Sequence, residues 1–290
     1  MNTPHLAQLL KWKEFRRGCS RPGCHTLTLR NPLLSRKPGV QLGADWYCSS
    51  DCLRAGLMLR IRQLERARQE PPPRRAARIP LGLLMVSRGY LTHPQWREAQ
   101  RLQDERGGEI GDILCDLKFV SELQVAEASA TQWGCPVFSA SRQAAEIRPR
   151  IPATLMKLVN MAPVHYVPAS NKLLVGFVYA VEHRILRAVE EMTSCFVEPC
   201  FVTATDCGES IRALNGLHVE VSFGSSVSPS EIANIIQSYA GQIGADEARL
   251  ALCRNYLWAR LNRDGHPTDL MFDLSGHPSN PELVDLDTIS

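Results

Sequence analysis

The chain has 290 residues, of which 44% are hydrophobic and 22% are charged, a composition typical of a folded globular protein. This length is sufficient for two domains. No apolar segment approaches the ~20 residues that a membrane helix needs, and the N-terminus lacks the apolar region of a signal peptide. We therefore expect a cytoplasmic protein without membrane insertion.

The net charge of +3 is unevenly distributed. Residues 1–79 contain 16 Lys and Arg against 5 Asp and Glu, a net charge of +11, whereas the remainder has 17 against 25, a net charge of −8. A basic segment of this kind is typical of contacts with nucleic acid or anionic lipid, and equally of docking on an acidic partner. Nucleic acid is therefore one candidate partner of the basic N-terminal part.

Four of the ten cysteines form two short pairs near the N-terminus. Cys19 and Cys24 enclose a Pro-Gly turn, and Cys48 and Cys52 lie at the start of a predicted helix over residues 53–69. Four thiolates can complete a tetrahedral shell around Zn²⁺ and leave no open position for catalysis. The pattern predicts a structural zinc site in a module similar to a zinc ribbon or treble clef. Four unligated thiols are the alternative interpretation.

A segment rich in Pro and Arg over residues 70–79 predicts an extended linker, because Pro removes backbone donors and fixes φ. It separates the zinc module, residues 1–69, from a tandem repeat over residues 80–140. Two copies of one pattern follow each other there at an offset of 29 residues. Each copy predicts a short helix and then a longer helix that begins with a capping box, at Thr92 and at Ser121.

This repeated pattern resembles the N-terminal domain of type II secretion and type IV pilus assembly ATPases, and the resemblance extends over residues 78–215. In some members of that family the repeat binds cyclic di-GMP through an Arg before each Leu-Gly and through residues around the glycines. The resemblance implies these candidate ligand-binding residues: Arg78, Leu81, Gly82, Gly89, Gln103, Ile110, Gly111 and Gln132.

The chain departs from that pattern at three positions. Pro80 precedes Leu81, Glu109 precedes Ile110, and Lys118 replaces the glycine that Gly89 matches. Pro offers no side-chain donor and Glu repels phosphate, whereas Arg can fork onto a phosphate. We therefore expect the repeat to act as a scaffold, with cyclic di-GMP binding as the alternative.

Residues 141–224 alternate between predicted strands and helices, which indicates a small α/β subdomain: a strand over 172–179, a helix over 183–192, a strand over 195–203 and a helix over 206–215. Cys195, Cys200 and Cys207 lie in this part without an evident fourth ligand, so we interpret them as buried free thiols. A metal or redox role for them stays open.

Residues 225–290 are predicted to contain a C-terminal helical hairpin and a polar, acidic tail over 277–290. A capping box at Ser228 opens the first helix. Leu250, Cys253, Leu257 and Leu261 recur at helical spacing and predict a second helix over 245–262. The predicted fold class is α+β.

No Gly-Lys dipeptide occurs in the sequence, so the phosphate-binding loop that a secretion ATPase requires is missing from these residues. We therefore expect no enzymatic activity. The preferred hypothesis is an adaptor that binds protein partners of the secretion or pilus machinery, or its ATPase. The alternatives are a cyclic di-GMP sensor and a zinc-dependent regulator that binds nucleic acid.

Overall fold

The computed structural model describes residues 16–29, 39–69, 78–139, 147, 150–214, 216, 219–225 and 227–276. The chain divides into two compact units. The terminal unit combines Met1–Pro71 with Glu220–Ser290, and the central unit is Pro72–Val219. Most of the predicted linker and the predicted acidic tail lie outside the described residues.

Among its described residues, the terminal unit contains a two-stranded ribbon, a six-stranded sheet in the order β4-β3-β9-β10-β11-β8, and two helices. The ribbon is β1 (Arg16–Gly18) with β2 (Leu27–Leu29), and the sheet strands are β3 (Val40–Leu42), β4 (Asp45–Tyr47), β8 (Val219–Phe223), β9 (Glu247–Cys253), β10 (Tyr256–Arg263) and β11 (His266–Asp273). The helices are α1 (Ser50–Gln69) and α9 (Pro229–Ile243). The Ser228 capping box that opens α9 is confirmed.

The predicted helix over residues 245–262 is wrong, because these residues form β9 and β10 of an antiparallel meander. Leu257, Ala259 and Leu261 alternate toward the core that α9 covers, a period of two that suits a strand. The turn to β11 contains Asp264 and Gly265 at φ values of 51° and 82°. An Asp-Gly pair at positive φ is typical of a tight hairpin turn.

The N-terminal and C-terminal parts share one hydrophobic core, whereas the sequence predicts separate segments over residues 1–69 and 225–290. β3 pairs in parallel with β9, Gln41 opposite Glu247 and Leu42 opposite Ala248. Helix α1 packs on α9 and on the sheet, and its side chains Leu53, Leu57 and Ile61 are buried in the common core. The residues of the predicted zinc module are therefore one part of a larger unit of helices and strands.

The central unit begins with four helices that pair across the two copies of the repeat: α2 (Leu81–Ser87), α3 (His93–Arg106), α4 (Ile110–Asp116) and α5 (Glu122–Trp133). Short helix α2 packs on α5, and α4 packs on α3. Both predicted capping boxes are present, and Thr92 and Ser121 share the same backbone angles, φ −90° and ψ 158°. Each short helix therefore packs on the long helix of the other copy.

An α/β subdomain completes the central unit. It contains α6 (Ala153–Val159), β5 (Met161–Val167), β6 (Lys172–Phe177), α7 (His183–Thr193), β7 (Phe196–Phe201) and α8 (Ala204–Leu214). The hairpin β5-β6 is antiparallel, and α7 connects β6 to the parallel strand β7. The two predicted strands and two predicted helices are present with slightly different ends, but residues 220–224 of the predicted range belong to the terminal unit, where β8 lies beside β11. Within the described part of the chain, no helix combines the length and the apolar character needed to cross a membrane.

Candidate metal centre and tandem repeat

Four cysteine sulfurs converge where the N-terminal turn meets the start of α1. Their Sγ atoms all lie within 4.8 Å of one another. Cys24 Sγ lies 3.7 Å from Cys48 Sγ and 3.9 Å from Cys52 Sγ, and Cys48 Sγ lies 3.7 Å from Cys52 Sγ. A tetrahedral ion with metal–sulfur bonds of about 2.3 Å separates its ligands by about 3.8 Å. The cluster of Cys19, Cys24, Cys48 and Cys52 therefore fits one metal ion.

Neighbouring polar groups favour the thiolate form at Cys24 and Cys52, whereas at Cys48 a hydrogen bond with Thr26 is outweighed by burial and by the neighbouring cysteines, which raise its pKa to about 11. The Thr26 hydroxyl lies 3.4 Å from Cys24 Sγ, and this hydrogen bond lowers the pKa of the Cys24 thiol to about 6. Hydrogen bonding by Ser49 holds the pKa of Cys52 below its ordinary value, and Arg21 adds to the effect. Arg21 Nη1 lies 3.9 Å from Cys52 Sγ. The sequence analysis missed Arg21, although it lies inside the Cys-Ser-Arg-Pro-Gly-Cys turn.

The cysteine cluster packs directly on the hydrophobic core of the terminal unit. Cys52 is buried, and the other three cysteines pack against the core as half-buried residues. The backbone N–H of Cys52 donates to Ser49 Oγ at 3.3 Å, which fixes the first turn of α1. No other group of potential metal ligands occurs among the described residues.

The three cysteines of the subdomain have a different environment. Cys195, Cys200 and Cys207 are buried and free. Burial raises the pKa of both Cys200 and Cys207 to about 12. A protonated thiol is neither a good nucleophile nor a metal ligand. This environment agrees with their interpretation as buried free thiols.

Equivalent glycines in the two copies allow the short and long helices to approach closely. A Cβ at Gly82 would lie 2.2 Å from the nearest ring atom of Trp96, and a Cβ at Gly111 would lie 2.9 Å from Val125 Cγ1. Trp96 and Val125 occupy the same position of the repeat, 29 residues apart. Gly82 and Gly111 therefore serve as packing positions within the unit.

The turn after each short helix keeps one conformation although its residue differs. Gly89 adopts φ 71° and Lys118 adopts φ 56°. The backbone N–H of Gly89 donates to Val86 O at 3.0 Å, and that of Lys118 donates to Cys115 O at 2.9 Å. The substitution of glycine by Lys118 therefore preserves the turn, at the energetic cost of a side chain in the left-handed region.

The two repeat glutamines donate across the pair of copies. Gln103 Nε2 donates to Gly108 O at 3.0 Å, and Gln132 Nε2 donates to Ile79 O at 2.7 Å. The two donor glutamines are 29 residues apart, and so are the two acceptor residues, Ile79 and Gly108. Each glutamine therefore forms a hydrogen bond with the segment immediately before the short helix of the other copy.

The other candidate ligand residues lie at the start of α2 and of α4. The Arg78 guanidinium carbon lies 3.4 Å from the ring centroid of Trp133, a cation–π contact. Pro80 and Glu109 are the N-cap residues of the two short helices, and neither makes a side-chain capping hydrogen bond. Arg78 and Gln132 are thus brought together near the first copy, on the segment that contains Ile79.

The second copy is joined to the α/β subdomain by polar contacts. The Tyr179 hydroxyl donates to Asp112 Oδ2 at 2.6 Å. Glu122 accepts from the backbone N–H and from the hydroxyl of Thr205, both at 2.9 Å. Burial, and then the hydrogen bond to Asp112, raises the pKa of Tyr179. Repeat and subdomain are therefore linked within one unit.

No protein-family model matches the chain. A stretch of 123 residues is 27% identical to the type IV pilus assembly ATPase PilB of Thermus thermophilus; it covers 41% of this chain and 14% of PilB. The chain therefore matches only a small part of that relative's length.

Two solved structures are also similar to this chain. The structure of MshE with cdg has a TM-score of 0.40 and 21% identity, covering 47% of this chain and 99% of that chain. The N-terminal domain of XpsE has a TM-score of 0.39 and 19% identity, covering 50% and 100%. The match to part of PilB agrees with the resemblance to pilus assembly ATPases.

Proposed function

We propose, from this resemblance, that the chain is a non-catalytic adaptor that binds protein partners of secretion or pilus machinery. The observation that carries the proposal is the combination of an ATPase-like N-terminal segment with the absence of any Gly-Lys dipeptide in these 290 residues. Phosphoryl transfer by such ATPases requires a lysine in a glycine-rich loop to hold the phosphates. A segment of this kind without the loop can bind a partner but cannot hydrolyse a nucleotide.

The start of α2 offers a surface for such a partner. Ile79 and Leu83 are 60% and 56% exposed. Ile79 precedes the N-cap Pro80 and Leu83 lies in the first turn of the helix, and exposed apolar side chains favour protein contacts. Leu123, at the first turn of α5, is 50% exposed and offers a matched control on the second copy.

Binding of the full chain to a purified pilus or secretion ATPase, measured by biolayer interferometry, tests the adaptor proposal. We expect saturable binding that Leu83→Asp weakens at least about tenfold, which corresponds to a loss of about 1.4 kcal/mol. Leu123→Asp should leave the affinity unchanged. Absence of binding to the ATPase and to the other components of its machine would contradict the proposal.

We propose further that the four-cysteine cluster holds a structural Zn²⁺. Sulfur separations of 3.7 to 3.9 Å support a tetrahedral ion of this size, and four thiolates are a ligand set that Zn²⁺ prefers. With four protein ligands, the ion supplies folding energy and has no position for substrate. Metal analysis of protein prepared without chelators should find about one zinc per chain, and Cys24→Ser should reduce that content. Less than about half an equivalent in the unaltered protein would contradict this assignment.

A second candidate function is the binding of cyclic di-GMP at the repeat. It is favoured by the similarity to MshE, whose structure contains cdg, and by the turn that Lys118 preserves. Pro80 and Glu109 oppose it, since neither can donate to a phosphate or to a guanine edge. Isothermal titration with cyclic di-GMP distinguishes the two functions. Submicromolar binding that Gln132→Ala abolishes would establish the sensor function. A titration without heat of binding would leave the adaptor as the remaining function.

A further inference from the structure

Helix α1 has one buried face and one basic face. Leu53, Leu57 and Ile61 are at most 1% exposed and pack in the core of the terminal unit. Outside this buried face the side chains point away from the core, and Arg54, Arg62 and Arg66 are exposed among them. Because the buried face is fully used by the fold, the outward face is available for a partner.

The three exposed arginines lie on one inclined row of the helix. Arg54 and Arg62 are eight residues apart and Arg66 follows after four, with Met58 between the first two. At about 1.5 Å per residue, these intervals correspond to about 12 Å and 6 Å along the axis. The row is therefore about 18 Å long, enough to meet about three phosphates of one nucleic-acid strand.

The N-terminal end of the row adjoins the metal cluster. Arg21, Asp51, Arg54, Ala55 and Met58 line an open cavity of about 440 Å³. Arg21 is held there by its contact with Cys52 Sγ at 3.9 Å. Asp51 is the acidic residue in this lining, and Arg21 offsets part of the negative charge of the thiolates, so the positive charge of the surface comes from the row itself.

We propose that this row, Arg54, Arg62 and Arg66, binds the phosphate backbone of duplex nucleic acid. Arginine presents a planar fork that matches phosphate oxygens, and residues 1–79 contain 13 Arg but 3 Lys. The row extends beyond the adaptor function, because it lies in the terminal unit and uses none of the residues that resemble the ATPases.

Two other occupants fit less well. An anionic membrane binds helices that present a continuous apolar face, whereas the apolar face of α1 is buried, and Leu59, at 57%, is its exposed large apolar side chain. The carboxylates of an acidic protein would bind lysine as well as arginine, so an acidic partner does not account for the excess of arginine. The guanidinium groups of the row match the phosphates of the backbone. Contacts of this kind hold the duplex without reading its sequence.

The dependence of binding on salt gives the expected magnitude. Each neutralised phosphate contributes about −0.9 to the slope of log affinity against log salt concentration for a duplex. Three arginines therefore contribute about −2.7, which corresponds to about a 40-fold loss of affinity for a fourfold increase in salt. Each single replacement should reduce the magnitude of the slope by about 0.9.

The test is a fluorescence-anisotropy titration of the full chain, with zinc bound, against labelled duplexes of two unrelated sequences at several salt concentrations. We expect equal affinity for both duplexes and a shallower slope for Arg54→Gln, Arg62→Gln and Arg66→Gln, and for the triple variant. Arg101→Gln is the matched control: Arg101 is an exposed arginine on α3 that pairs with Glu98 and Glu105, and its loss should leave the slope unchanged.

Several outcomes would overturn the proposal. They are absence of duplex binding at low salt, a slope that the three single replacements do not change, and a strong preference for one duplex sequence. If poly-glutamate competes as effectively per charge as unlabelled duplex does, the surface would be assigned to acidic proteins. Tighter, arginine-dependent binding to phosphatidylserine vesicles would assign it to membranes. Melting temperature and zinc content should be the same in every variant, since the replaced side chains are exposed.

Discussion

Replacement of Gly82 by alanine should destabilise the repeat far more than the same replacement at Gly111. A Cβ at Gly82 would lie 2.2, 2.4 and 2.6 Å from three ring atoms of Trp96. At Gly111 the close contact is 2.9 Å, to a single methyl group of Val125. A rigid indole must shift as a whole, whereas a valine methyl can give way by a few tenths of an ångström.

The two variants form a matched pair, so the difference between them isolates the steric effect. Both glycines lie in the first turn of a seven-residue helix, and alanine adds the same helix propensity of about 1 kcal/mol at each. Overpacking of a close contact costs about 1–3 kcal/mol. We therefore expect Gly82→Ala to lower the free energy of unfolding by about 1–3 kcal/mol more than Gly111→Ala does.

Hydrogen exchange of amides in α2 to α5 measures this difference within the unit. A loss of 1–3 kcal/mol corresponds to exchange that is about 5- to 150-fold faster. Trp96→Val imitates the second copy and should reduce the cost of Gly82→Ala, a coupling that a double-mutant cycle measures. Equal exchange rates in the two alanine variants, or no coupling with Trp96→Val, would refute this account of the packing.

Four further predictions concern other parts of the chain. Lys118→Gly should stabilise the repeat by about 0.5–1 kcal/mol in urea unfolding, because glycine adopts the left-handed region without strain. Hydrogen bonds from Ser228 hold the pKa of Glu231 below its ordinary value, so its stabilising effect should be present at neutral pH and lost as pH falls through that lowered pKa; Glu231→Gln should remove this pH dependence of the unfolding midpoint. Asp269→Asn should cost about 3–5 kcal/mol in urea unfolding, since Arg260 donates to that buried carboxylate at 2.8 and 2.6 Å and would stay buried with one counter-charge fewer. Chelation of the metal should lower the melting temperature of the terminal unit, because the binding free energy of a structural zinc, about 10–16 kcal/mol in zinc-finger peptides, contributes to folding; an unchanged melting curve would contradict a structural ion.

Local chemistry was predictable wherever neighbours in sequence are also neighbours in space. The capping boxes at Thr92, Ser121 and Ser228 were found because a hydroxyl and an amide three residues apart meet at any helix start. The cysteine cluster was found for a related reason, since two short pairs are strong metal-ligand signals. Thr26 and Arg21, which tune the thiols, carry no such pattern.

The error over residues 245–262 shows where periodicity is ambiguous. Leu250, Cys253, Leu257 and Leu261 suit a helix, yet Leu257 and Leu261 also alternate with Ala259 on one face of a strand. The pair Asp264 and Gly265 is the hairpin signal that distinguishes the two. The spacing of the apolar residues could not distinguish a helix from a strand, because the helical period and the strand period both place leucines on one side.

The amino-acid sequence by itself determined the tandem repeat, the helix starts, the cysteine shell and the basic character of the N-terminal part. These depend on contacts between residues close in the chain. Only the tertiary structure decided that β3 pairs with β9 across about 200 residues and that α1 and α9 share a core. Pairings of that kind depend on complementary surfaces that no local pattern encodes, and they also decide which arginines of α1 face outward.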